Sequence, residues 1–169
     1  MCDARAKTPH QLKVEQFMRG IGRPVPDKPQ LPSDPDLLVI WGRLMLEELF
    51  EYFDSVGVAV MLDGTAMHHR PIRFQDLHLY KLPQASDLVG IVDDAADMQV
   101  ISTGMLSLCG VADVGVLETV DDNNLLKVDP AKGGYIDSVS GKFIKPKDHP
   151  KPDFRACLEA QGWRHESDG

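Results

Sequence analysis

The sequence predicts an all-α fold: four to five helices in a bundle, with two small β-like insertions. Three observations predict it. Long segments begin at residues that cap helix starts and stop at glycines. The stretch 56–82 changes to strand-formers around an Asp63-Gly64 turn, and 135–145 repeats this on a smaller scale near Ser140-Gly141. The length of 169 residues suits one domain covering 1–169, and no internal repeat or low-complexity tract divides it.

The first helix starts at Thr8 as N-cap, with Pro9 at the first helical position and Gln11 completing a T-x-x-Q capping box. Leu12, Gln16 and Phe17 continue it, and Gly20 and Gly22 end it. Pro24, Pro26, Pro29, Pro32 and Pro35 then force an extended strap, because proline lacks an N–H and restricts its predecessor. The strap is too short for an interdomain linker and is expected to lie across the domain. A second helix is capped by Asp34-Pro35 and runs to about Asp54. A third, rich in Ala, Val, Met and Leu, covers 84–108 and closes at Gly110. A fourth covers 113–127, Gly133-Gly134 breaks the chain, and Pro152 opens a short last helix to about Gln161.

Composition narrows the function. Acidic residues number 26 and basic residues 18, a net charge of −8, which argues against a protein that coats duplex nucleic acid. A phosphorylated ligand would then need metal ions to supply positive charge. No apolar run reaches the ~18–20 residues of a membrane span, and the first residues lack the apolar core of a secretory signal. Three widely spaced cysteines (Cys2, Cys109 and Cys157) suit neither a disulfide framework nor a Cys-based zinc site. The chain reads as cytoplasmic.

The informative residues are carboxylates. Glu47, Glu48 and Glu51 lie on the second helix, Asp94 and Asp97 on the third. Positions three apart share a helix face, so each motif projects two carboxylates one way. At ~100° per residue, Arg43, Glu47 and Asp54 form a narrow polar face. Glu48 instead lies between Leu44 and Trp41, beside Leu37, in an apolar stripe, with Glu51 at its edge. Asp94 and Asp97 flank Ile101. A carboxylate in an apolar stripe is costly unless paired or metal-bound. Either an ion-pair network or a divalent metal answers that cost, and four acids together favour metal. Oxygen-only donors select Mg2+ or Mn2+. A di-iron bundle would need Glu-x-x-His pairs, a P-loop would need G-x-x-x-x-G-K-[ST], and the Nudix signature is met only in part by 43–50. All three are rejected.

Glu48-x-x-Glu51 followed by Asp94-x-x-Asp97 resembles the E-x-x-E and E-x-x-D pair of the MazG-like all-α nucleoside triphosphate pyrophosphohydrolases. Asp94 in place of Glu is a departure, one methylene shorter. The interval from Glu51 to Asp94 is longer than is usual there, and the 56–82 insertion accounts for it. FMRGIGRPVPDKPQLP, VDDAADMQVISTGMLSLCG, VDDNNLLK and SGKFIKPKDHPKPDF extend the likeness over nearly the whole chain, toward a bacteriophage branch. That branch includes MazZ-type enzymes acting on dGTP or GTP, although no residue here identifies guanine by itself. The resemblance implies an all-α bundle and a Mg2+-dependent hydrolase that turns a (d)NTP into (d)NMP and pyrophosphate. It implies metal at Glu48, Glu51, Asp94 and Asp97, with the metal activating the attacking water. It also implies a homodimer, or a homotetramer built from dimers, in the cytoplasm (the host's if the gene is a phage's).

Glu47 is the nearest spare carboxylate for a general base beside Glu48. In the family the N-x-x-K pair, here Asn124 and Lys127, contacts triphosphate oxygens, and otherwise such a Lys favours a helix C-terminus. Lys142 and Lys145 would steady the leaving pyrophosphate or, failing that, lie on a solvated strand. Phe17 and Trp41 are base-stacking candidates, though aromatics at helical spacing are usually core. Gln16 and the strap could supply base contacts. Glu118 would add a further ligand or sit as a surface acid, and His68 and His69 have no acidic partner at a telling spacing. Two other readings stand beside the enzyme. One is a non-catalytic helical adaptor that binds metal or nucleotide, favoured by Asp94. The other is a house-cleaning dNTP pyrophosphatase with a permissive pocket.

Overall fold

A computed structural model describes residues 4–62, 71–128, 134–139 and 141–164, with the side chain of Gln75 excepted. Asp63-Gly64, His68, His69, Gly133 and Ser140 lie outside the described residues. The elements are α1 (Pro9–Gly20), α2 (Asp36–Ser55), β1 (Val58–Leu62), β2 (Leu77–Lys81), α3 (Leu88–Leu108), α4 (Asp113–Leu125), β3 (Tyr135–Ile136), β4 (Phe143–Ile144) and α5 (Phe154–Ala160). Short 3-10 turns precede β2 at Phe74–Asp76 and follow α4 at Leu126–Val128.

The all-α class is corrected. Among the described residues, five α-helices make up much of the structure, but two antiparallel two-stranded sheets make the architecture mixed α/β. Val58 and Val60 pair opposite Lys81 and Leu79, so strand-formers extend the excursion into a true ladder. Tyr135 pairs with Ile144 and Ile136 with Phe143. Boundaries moved as well. α3 starts at Leu88, after Asp87 caps the N–H of Val89 at 3.0 Å. α4 tightens into a 3-10 turn, so Lys127 stands on that turn and not on the α-helix.

The chain divides into two compact units, residues 1–32 with 103–169, and residues 33–102. In the first, the buried face of α1 is Gln11, Val14, Glu15 and Met18, at helical spacing. Leu12 and Phe17 are exposed, and Phe17 is therefore not a core aromatic. Leu108, Val111 and Ala112 complete the core of this unit, at the corner between α3 and α4.

That corner is fixed by two glutamines. Gln11, fully buried, donates from Nε2 to Ser107 Oγ (3.1 Å) and to the Val111 carbonyl (2.7 Å), and its Oε1 accepts from Asp113 N (2.8 Å). Gln161 clamps both backbone groups of Ala112, at 2.8 Å and 3.1 Å. The capping box is thus only half formed. Thr8 Oγ1 accepts from Gln11 N, but Thr8 N donates to Asp113 Oδ1 at 2.8 Å. Gln11 is spent on the corner, and a remote aspartate satisfies the helix start in its place.

The strap crosses this corner as expected. Gln30 N donates to the Cys109 carbonyl at 2.9 Å. Gly110 has φ 67, and a Cβ there would lie 2.3 Å from the Lys28 carbonyl oxygen. Only glycine tolerates both the left-handed conformation and the close backbone. Glu15, 2% exposed, is answered by Lys7 at 2.6 Å and Arg19 at 3.1 Å.

In the second unit, Leu37 and Trp41 are the fully buried apolar residues among those described. Lys81 folds back onto the end of α2, where its ammonium donates to the Val56 carbonyl at 2.5 Å and to Ser86 Oγ at 3.2 Å. A cation there meets the negative end of the helix dipole.

Candidate functional site

The site lies in the unit formed by residues 33–102. Two anchors set α2 against α3. Trp41 Nε1 donates to the Ile101 carbonyl at 3.1 Å, and the Asp87 N–H donates to the Ser55 carbonyl at 2.8 Å. Gly90 permits the second, since a Cβ there would fall 2.5 Å from Ser55 Oγ. The start of α2 therefore meets the end of α3, and the end of α2 meets the start of α3: the helices run antiparallel. Glu48 and Asp94 fall midway between the anchors. Trp41 is a buried core residue, as aromatics at this spacing usually are.

Burial sorts the carboxylates. Asp94 is 8% exposed and Glu48 is half-buried, while Glu47, Glu51 and Asp97 are exposed. Glu48 Oε2 and Asp94 Oδ2 are shielded from water and have no hydrogen-bond partner among the described residues. Burial pushes the Glu48 carboxyl above the ordinary value of 4.5, and the nearby charges of Asp97, Glu51, Glu47 and Asp94 push the same way. All four neighbours lie close enough to repel it, so both helices contribute to one electronegative region. Two carboxylate oxygens without partners, amid acids that have no ion pair among the described residues, are the feature that a bound cation would relieve.

The donor chemistry fits a hard divalent ion. The spacing is looser: among the described residues, no three His, Cys, Asp or Glu side chains are gathered as a closed metal site. Glu51 and Asp97, exposed and turned to solvent, would have to swing inward to complete one. Glu47 shares the solvent side with Arg43 and Asp54, as its position on the wheel requires.

The phosphate candidates belong to the other unit. Lys127 Nζ donates to Asn124 Oδ1 at 2.5 Å, so these two do share a face. The β3–β4 hairpin packs on the same turn: a Cβ at Gly134 would meet the Phe143 ring at 2.5 Å and the Lys127 carbonyl at 2.9 Å. Lys142 and Lys145 flank β4 and are exposed. Three lysines and an amide thus come from one neighbourhood. Gln16 and Glu118 are exposed.

Asn123, adjacent to the family-like Asn124, was not singled out by its sequence context. It is buried, donates to the Pro150 carbonyl at 2.9 Å, and meets His149 Nε2 at 2.9 Å, which ties the C-terminal segment to α4. Neither Asn carries a pattern that separates the two roles, because burial of a single helical position depends on tertiary contacts.

No family model matches the chain, and no curated protein matches it in sequence. No single helix among the described residues is long and apolar enough to cross a membrane.

Proposed function

We propose that the chain is a Mg2+-dependent nucleoside triphosphate pyrophosphohydrolase that converts a (d)NTP, with dGTP and GTP first, to (d)NMP and pyrophosphate in the cytoplasm. The observation that carries this reading is the pair of buried, partnerless oxygens of Glu48 and Asp94 in an unneutralised cluster. Glu48, Glu51, Asp94 and Asp97 would hold Mg2+ or Mn2+, which when bound supplies positive charge for the triphosphate and acidifies water. Glu47, exposed beside them, would take a proton from an entering water. Lys127, Lys142 and Lys145, with Asn124, form the chain's own basic group for phosphate oxygens. The net charge of −8 supports a small-molecule partner over duplex nucleic acid.

A homodimer, or a tetramer of dimers, is part of the same reading. α2 carries a second apolar face, with Leu38, Leu46, Leu49 and Phe50 exposed over an arc that begins about a quarter-turn from Glu48. Such a face supports burial against another copy. The adaptor reading retains support from the unclosed ligand geometry and from Asp94.

The test is pyrophosphate release from each dNTP and from GTP, with and without Mg2+. Mg2+-dependent release led by dGTP is the expected result. Equal rates on all bases would replace the guanine preference with a house-cleaning role. No release from any nucleotide would leave the adaptor.

A further inference from the structure

A separate feature lies wholly within the unit formed by residues 1–32 and 103–169: an open groove of about 930 Å3. The strap contributes Pro29 and Leu31, the end of α3 Met105 and Cys109, and α5 Leu158. The groove is preformed. The strap is hydrogen-bonded to the Cys109 carbonyl, and Gln161 ties the chain just after α5 to Ala112. These bonds tie the strap and the chain after α5 to the corner between α3 and α4, and the apolar lining between them is open to water, a feature that marks binding sites. The size falls in the range of ~300–1,000 Å3 that holds small organic ligands.

Charge selects the ligand. Arg164 is the one ionised side chain among the described lining residues, in a chain whose net charge is −8. The Lys28 stem runs beside Gly162, 4.0 Å from where a Cβ would sit, two residues before Arg164. Arg155, over the Trp163 ring at 5.9 Å, is already paired with Glu159 at 2.8 Å. Lys28 and Arg164 have no ion-pair partner among the described residues. Among the described residues, the groove therefore joins an apolar trough to an unpaired positive charge at Arg164, with the Lys28 stem nearby at Gly162. Phe154 and Trp163 stand among the aliphatic side chains of the walls, and Gln30 is the one amide side chain among the described lining residues, so the polar edges of a nucleobase find few partners there. An extended peptide has the same fault at every peptide unit.

We propose that this groove binds a small amphipathic anion, with an aliphatic body along the strap, α3 and α5, and a carboxylate taken by Arg164 and Lys28. Its lining belongs to the unit of residues 1–32 and 103–169, and the carboxylates belong to the unit of residues 33–102. Burial raises the Cys109 thiol above its ordinary value, so alkylation is slow at neutral pH and is best followed in alkaline buffer.

The experiment titrates the full chain with decanoate and with decanol, and maps thiol alkylation by mass spectrometry. Decanoate should saturate one site per chain and bind at least about tenfold more tightly than decanol, the effect of its charge-assisted contacts with Arg164 and Lys28. It should slow alkylation of Cys109 but not of Cys157, which packs against Gly115 and Gln161. A folded Lys28→Gln/Arg164→Gln variant should bind the two alike, and Glu48→Gln should bind decanoate as the parent does. Absence of saturation, equal affinity for decanol in the parent, an unshielded Cys109, or saturation only by an acidic amphipathic peptide would each overturn the proposal.

Discussion

Glu48 is opposed in its charged form by burial and by acids on its own helix and on α3. The consequence has a definite sign. An acid whose folded value lies above its unfolded one binds its proton more tightly when folded. Its contribution to the metal-free chain is therefore most favourable below about pH 4.5, the ordinary value, and is lost as pH rises through the window above it. Glu48→Gln should remove this fall. Thermal unfolding in EDTA should show the variant gaining on the parent as pH rises from 4.5 to neutrality, by a few degrees. A constant difference across that range would refute the repulsion. The position of Glu48 in an apolar stripe was legible from helical spacing alone. The role of Gln11 was not. The T-x-x-Q pattern marked the residue, but its amide serves the Val111–Asp113 corner 100 residues away in sequence. Gln11→Leu leaves the Val111 carbonyl and the Asp113 N–H buried without partners and should cost about 2–4 kcal/mol in urea unfolding. A cost below about 0.5 kcal/mol would mean that water replaces the amide at no penalty.

At the scale of elements, the antiparallel α2–α3 pair positions the acids, and the strap with its glycine crossing organises the other unit. Gly110→Ala tests the crossing. Its Cβ would strike the Lys28 carbonyl in a left-handed conformation, so a loss of roughly 2 kcal/mol or more is expected by chemical denaturation. An unchanged stability would show that the strap is not held there. The start of α1 and the strap were readable because proline and capping signals act locally, whereas α2 starts at Asp36 without a side-chain cap and α5 starts at Phe154, capped by Asp153. The hairpins were readable as excursions, but their register was not, since it depends on which residues meet across the ladder. α3 was read four residues too long at its start, because the residues at 84–87 are compatible with a helix until Asp87 caps it.

For the whole molecule, the all-α expectation gave way because strand-formers in 56–82 pair with one another while helices supply the rest. Leu37 and Trp41 make a small core for the unit of residues 33–102, while the Leu38–Leu46–Leu49–Phe50 face of α2 stays exposed. Sedimentation at micromolar concentration should show an assembly larger than the 18.7 kDa chain, and Leu46→Glu/Phe50→Glu should return it to that mass. A parent that already sediments at the mass of one chain would refute the assembly. The acid pairs were legible in sequence, whereas their incomplete closure was not, because side-chain rotamers at exposed positions are set by what they bind. The central claim is chemical, and release of pyrophosphate from dGTP in Mg2+ by parent and Glu48→Gln protein, side by side, tests it most directly. Release by the parent, dependent on Mg2+ and reduced at least about 100-fold in the folded variant, is the predicted result; equal release by both proteins, or none by the parent with any dNTP in Mg2+ or Mn2+, would contradict it.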